Sequence, residues 1–117
     1  MVEVVDRNIQ VYLEFERRLR PKIRALITDE LIAEHAAAPL GPHSDDLQRV
    51  MNYFRRQPQP GKYILVAIRP WEEYRIATLS GVRGEVAKLI GDETYPSEET
   101  GLHGIFLRRV ADLRAAD

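Results

Sequence analysis

Apolar positions recur at helical spacing near both ends of this chain and crowd or alternate in its middle. From Ile9 to about Ala38 the residues are mostly good helix formers, with Asp6 available as an N-cap. Pro21 interrupts that run, and a proline inside a helix removes one hydrogen bond and clashes with the preceding turn. The pattern therefore predicts two helices, or one kinked helix, meeting near Arg20-Pro21. Leu26, Ile27 and Leu31 keep helical spacing beyond the proline, and Pro39-Leu40-Gly41-Pro42 ends the segment. Ser44 then reads as an N-cap, with Asp45 and Asp46 where the helix dipole favours anions. Leu47, Val50, Met51 and Phe54 form one apolar face, and Arg55-Arg56 close the helix before the linker Gln57-Pro58-Gln59-Pro60-Gly61.

The middle of the chain has a different period. Tyr63 to Ile68 is short, β-branched and nearly all apolar, as in a buried strand. Arg69 to Glu73 is the connection, with a short helix opening at Pro70 as the competing reading. Tyr74 to Leu79 alternates as a second strand, Gly81-Val82-Arg83-Gly84 turns, and Glu85 to Ile90 returns as a third. Ser97 caps a last helix whose apolar face is Leu102, Ile105, Phe106, Val110 and Leu113, expected to lie against the sheet. Gly101 and Gly104 each cost that helix about 1 kcal/mol against alanine, and a close approach of another backbone would explain them. The runs predict one α+β domain over residues 1–117. It has N-terminal helices, a small antiparallel β-meander, and a C-terminal helix packed on the sheet.

Composition narrows the chemistry. Seventeen basic and eighteen acidic residues give a formal net charge of −1, without the basic surplus that a nucleic-acid binder uses against phosphates. The chain has no cysteine, which removes disulfides and thiolate chemistry. No apolar run is long enough for a signal peptide or a spanning helix, so a cytoplasmic address and no membrane partner are expected. His35, His43 and His103 lie far apart in sequence and in no recognised ligand spacing. A metal site built on them would require the three to converge; the plainer reading is a structural or solvent role for each. Ser44 and Ser97 are accounted for as caps, and the paired carboxylates Asp45-Asp46, Glu72-Glu73 and Glu98-Glu99 fall at helix starts or turns. No catalytic, cofactor-binding or metal-binding residue is assigned.

Two features point to binding. Arg17, Arg18, Arg20, Lys22 and Arg24 cluster in one stretch, and Arg55-Arg56 and Arg108-Arg109 lie late in two helices. Glu14 and Glu16 could balance the first cluster as a solvated face. Arginine's planar fork also suits an interface, and Tyr53, Phe54, Trp71 and Tyr74 could supply aromatic anchors.

A resemblance sharpens this. Glu34-His35-Ala36-Ala37, Pro39-Leu40-Gly41, Leu47-Gln48-Arg49-Val50 and Asn52-Tyr53-Phe54-Arg55 resemble the small subunit of N,N-dimethylformamidase. So do Gly61-Lys62-Tyr63, Trp71 with Tyr74 to Thr78, and His103 to Val110, in the same order from about Tyr12 to Arg114. The first ten residues and Ser80 to Leu89 match poorly. The resemblance implies an accessory subunit of an enzyme that hydrolyses N-substituted formamides to formate and an amine. It places the iron in a separate large subunit and none in this chain. Arg17 and Arg18 of the basic stretch, with Tyr53, Arg55, Trp71, Tyr74, Arg75, His103 and Arg109 of the matching runs, are then expected at fold or subunit-contact positions. The alternative is a stand-alone, homo-oligomeric binding module that partners itself.

Overall fold

The computed structural model describes residues 7–57 and 61–116, with side chains from residue 10 onward. Asp6 and the linker residues Pro58-Gln59-Pro60 lie outside the described residues. The first helix, α1, runs from Arg7 to Leu26, and Pro21 sits inside it. The break expected at Arg20-Pro21 falls instead at Ile27-Thr28, before α2 (Asp29–Ala37). Packing explains the continuity. Ile23 and Ile27 are buried in the core, with Leu19 and Leu26 partly buried against it, so the apolar stripe crosses the proline. Pro21 and Arg17 are both exposed, and water can serve the Arg17 carbonyl that the proline leaves without a donor. Thr28 supplies the start of α2: its backbone is extended and its hydroxyl accepts from the Leu31 N–H at 3.2 Å.

Helix α3 (Asp45–Arg55) is capped as expected by Ser44, whose Oγ accepts from the Leu47 N–H at 3.3 Å. Glu34 near the end of α2 accepts from the Ser44 N–H at 2.6 Å and its Oγ–H at 2.7 Å. These bonds hold the Glu34 carboxyl below its ordinary range and join two helices through one cap. The Tyr12 hydroxyl donates to the Arg56 carbonyl at 2.7 Å, tying α1 to the end of α3. Among the described residues no helix is long and apolar enough to cross a membrane.

The meander forms in the order β1-β2-β3, from β1 (Tyr63–Arg69), β2 (Glu73–Thr78) and β3 (Lys88–Leu89). Leu65 pairs with Ile76 and Ala77 with Leu89, both antiparallel. Pro70 stands in a turn, not in a helix. The third strand is only two residues long, shorter than Glu85 to Ile90. Strand β1 is half-buried at its start and exposed at its end, not buried throughout. Alternate residues of a strand face opposite ways, so a helix on one face cannot cover a continuous apolar run.

Helix α4 (Glu98–Ala115) begins in a capping box between Ser97 and Thr100. It contacts β1 and β2, but Phe106, Val110 and Leu113 point into the helical core with Leu31, Leu47, Val50 and Phe54. The helix thus serves two layers at once. Its glycines meet side chains, not a backbone. A Cβ on Gly101 would stand 2.5 Å from Leu65 Cδ1, and one on Gly104 2.6 Å from Tyr95 Cζ and Oη. Tyr95 is held over Gly104 by a bridge to β2, its N–H and carbonyl each bonded to Tyr74 at 2.9 Å. At the far end of α4, the Arg24 guanidinium donates to the Leu113 carbonyl at 3.1 Å and to the Ala116 carbonyl.

Candidate functional site

Three regions of the surface carry chemistry. The first is the tip of the β1–β2 hairpin, where Trp71 is 85% exposed and adopts φ of 70°. A non-glycine residue in the left-handed region costs roughly 1–2 kcal/mol. Tyr74 helps hold it there, its hydroxyl accepting from the Trp71 N–H at 3.3 Å while its own ring is buried. Ile68 is also exposed, so the tip presents a large apolar surface in a fixed direction. Arg75 faces the next segment, where it donates to the Gly91 carbonyl. Its Nε is buried with no partner among the described residues.

The second region is the amino-terminal half of α1. Val11, Leu13 and Phe15 are exposed there, beside Arg17 and Arg18. Arg18 pairs with Glu14 at 2.8 Å and Arg20 with Glu16 at 3.0 Å, the balancing acids expected from the sequence. The Tyr53 hydroxyl donates to Glu16 from the buried side, and burial, then that bond, raises the phenol's pKa. Exposed pairs such as Arg18–Glu14 contribute little stability.

The third region is a cleft of about 410 Å³ between α2, α3, β1 and α4, and His35, His43, Arg55, Tyr63 and Arg109 are on its wall. Met51, Leu65, Leu102, Ile105 and Phe106 make it otherwise apolar. Arg109 stands 5.9 Å from the Phe54 ring centroid. Burial, then the nearby Arg55 charge, holds its guanidinium below its usual pKa. Tyr63 donates to Asp112, and its pKa is pushed up to about 12 by burial and by that carboxylate.

The histidines, remote in sequence, gather beside this cleft. His35 is 1% exposed and stacks on Phe106 with centroids 4.1 Å apart and planes 11° apart. Its Nδ1 lies 2.8 Å from Nδ1 of His103, so one ring donates and the other accepts. His43 stacks 5.9 Å away and donates from Nε2 to the Ala38 carbonyl at 2.9 Å. Burial, then the His103 and His43 charges, lowers the His35 pKa to about 4, and burial lowers that of His103. One nitrogen each of His35 and His103 is thus satisfied within the stack, and one of His43 by the backbone. Among the described residues no group of three or more His, Cys, Asp or Glu could hold a metal ion.

Of the residues singled out from sequence, Trp71, Arg17, Arg18 and Arg55 are exposed, whereas Tyr53 and Tyr74 are buried in the fold. Arg55 and Arg109 come together in one cleft, His103 reaches its edge only through its bond to His35, and Arg75 lies apart on β2. Tyr63 was not singled out as a site residue, and His35 was weighed only with His43 and His103 as a metal site. The spacing of Leu31 and His35, both buried one helical turn apart on α2, is the signal that marks His35 as inward-facing. The three serines are locally occupied. Ser44 and Ser97 cap helices, and Ser80 Oγ accepts from the Val82 N–H at 3.0 Å.

What these regions define is a small α+β chain whose surface offers an aromatic projection and a basic cleft. Comparison with known proteins gives its kin. The family model for the N,N-dimethylformamidase alpha subunit matches residues 10–117, and the chain belongs to that family. It is 44% identical over 115 residues to the N,N-dimethylformamidase alpha subunit of Alcaligenes sp, covering 94% of this chain and 86% of that one. It is 40% identical over 116 residues to the alpha subunit from Paracoccus aminophilus, covering 93% and 79%.

Proposed function

We propose that this chain is the accessory small subunit of an N,N-dimethylformamidase-like amide hydrolase, and that it works without an active site of its own. The observation that carries this reading is the match to two alpha subunits over more than nine-tenths of the chain. A subunit designated alpha implies a second chain, and the exposed hairpin tip and the amino-terminal half of α1 are surfaces suited to it. Trp71 is the natural anchor: a rigid aromatic held out by a strained turn loses little freedom on binding. Val11, Leu13 and Phe15 of α1 would form a second apolar contact, with Arg17 and Arg18 at its rim. The iron that the resemblance implies would belong to the large chain: His35 and His103 bond to each other, His43 bonds to the Ala38 carbonyl, and among the described residues no group of three ligand side chains could hold a metal.

The test is affinity purification of the tagged chain from its own host, with identification of co-purifying chains and their metal content. A large iron-containing hydrolase in fixed ratio is the expected result. Recovery of this chain alone, as a monomer or a dimer, would instead support a stand-alone binding module.

A further inference from the structure

The cleft between α2, α3, β1 and α4 presents an electrostatic imbalance. Arg55, Arg109, His35 and His43 all line it, and among the described residues no aspartate or glutamate does. Among the described residues neither arginine forms an ion pair. Among the described residues the Arg55 guanidinium makes one long contact, 3.4 Å, to the Asn52 side-chain oxygen, and the Arg109 guanidinium stands over the Phe54 ring and interacts with the Tyr63 hydroxyl. Arg109 and Tyr63 also line the adjoining groove, whose two acids are engaged with other groups: Glu16 with Tyr53 and Arg20, Asp112 with Tyr63. Two like charges near each other, one of them partly desolvated, are costly unless a counter-charge joins them. The remaining walls, Met51, Leu65, Leu102, Ile105 and Phe106, would suit an apolar body. A volume of about 410 Å³ falls within the range of small-molecule sites and exceeds what one acidic side chain would fill.

We infer that this cleft is a binding site for a small monocarboxylate with a short apolar tail, its carboxylate taken by Arg55 and Arg109 and its tail by the Leu65–Leu102–Phe106 wall. Guanidinium forks match carboxylate oxygens in plane, so the pair of arginines discriminates an acid from its neutral amide. Binding of the acid by the chain is independent of the subunit assignment: it is read on the chain itself, whichever large chain joins it.

Isothermal titration of the full chain with hexanoate, and with hexanamide as its neutral counterpart, tests the site. Hexanoate should bind, and hexanamide should bind at least about tenfold more weakly, the discrimination expected from one charge-assisted contact. Arg55→Gln and Arg109→Gln should each weaken hexanoate about tenfold or more, while Arg83→Gln in the exposed turn after β2 should leave it unchanged. Arg55 is exposed, so its variant reports even if the Arg109 change unfolds the chain. Absent hexanoate binding, equal binding of acid and amide, or undiminished binding to R55Q would overturn the site. Loss of hexanoate binding in a complex with the large chain, together with weaker assembly of R55Q, would assign the carboxylate to the partner and overturn a small-molecule ligand.

Discussion

Gly104 offers a prediction whose sign reverses with its neighbour. In an open helix, glycine to alanine contributes about 1 kcal/mol of stability through backbone entropy. Here the added Cβ would stand 2.6 Å from the Tyr95 ring, well inside contact distance. The ring is rigid, and its backbone is bridged to β2, so relief requires the ring to swing outward or the segment to shift. Overpacking of this kind costs about 1–3 kcal/mol. Gly104→Ala should therefore destabilise the chain by about 1 kcal/mol net. In a Tyr95→Ala background the obstruction is gone, and the same substitution should stabilise by about 1 kcal/mol. The coupling between the two positions is then about 2 kcal/mol, within the range for residues in contact. Urea unfolding of the four proteins at a common pH, with slopes compared, measures it. Alanine at position 104 shifting stability in the same direction in both backgrounds would refute the close packing of α4 under Tyr95.

The remaining predictions concern acid, the proline and the tryptophan. Because the His35 pKa is lowered from 6.5 to about 4, the unfolded chain binds the extra proton first as pH falls. Stability contributed by the neutral ring is complete above about pH 6.5 and is lost progressively down to about pH 4, by about 3 kcal/mol at most. Thermal melts across that window should show a shallower fall for His35→Gln, and an equal fall would exclude this histidine as the cause. Pro21→Ala restores the donor missing from the middle of α1 and should raise stability by about 1–3 kcal/mol; a drop would mean that the proline holds α1 in a shape alanine does not. Trp71→Gly relieves the left-handed backbone and should leave unfolding free energy unchanged or up to about 1 kcal/mol higher, while weakening assembly with the large chain. Unweakened assembly would remove Trp71 as the anchor.

Much of the fold was legible because local signals and packing agree. Ser44 and Ser97 sit before amphipathic runs, and both cap helices in the structure. The meander followed from the change of period after Gly61. Pro21 misled because its local penalty is outweighed by a stripe from Leu19 to Ile27 that only a continuous helix can bury. The two glycines of α4 signalled close approach, but periodicity cannot say whether a backbone or a Tyr95 ring comes near. The cleft was the least legible region. Its arginines were visible as late-helix residues, yet their nearness to each other and to His35 depends on how α2, α3 and α4 cross, and no sequence spacing encodes that.

The placement of α4 also bears on how the protein is made. Phe106, Val110 and Leu113 complete a cluster begun by Ile23, Ile27 and Leu31, and Arg24 closes on carbonyls at residues 113 and 116. A chain emerging from the ribosome therefore carries the apolar faces of its first three helices incompletely covered until α4 has been translated. During that interval those faces are open to chaperones and to other nascent copies. Truncation before Leu113 would leave this exposure permanent.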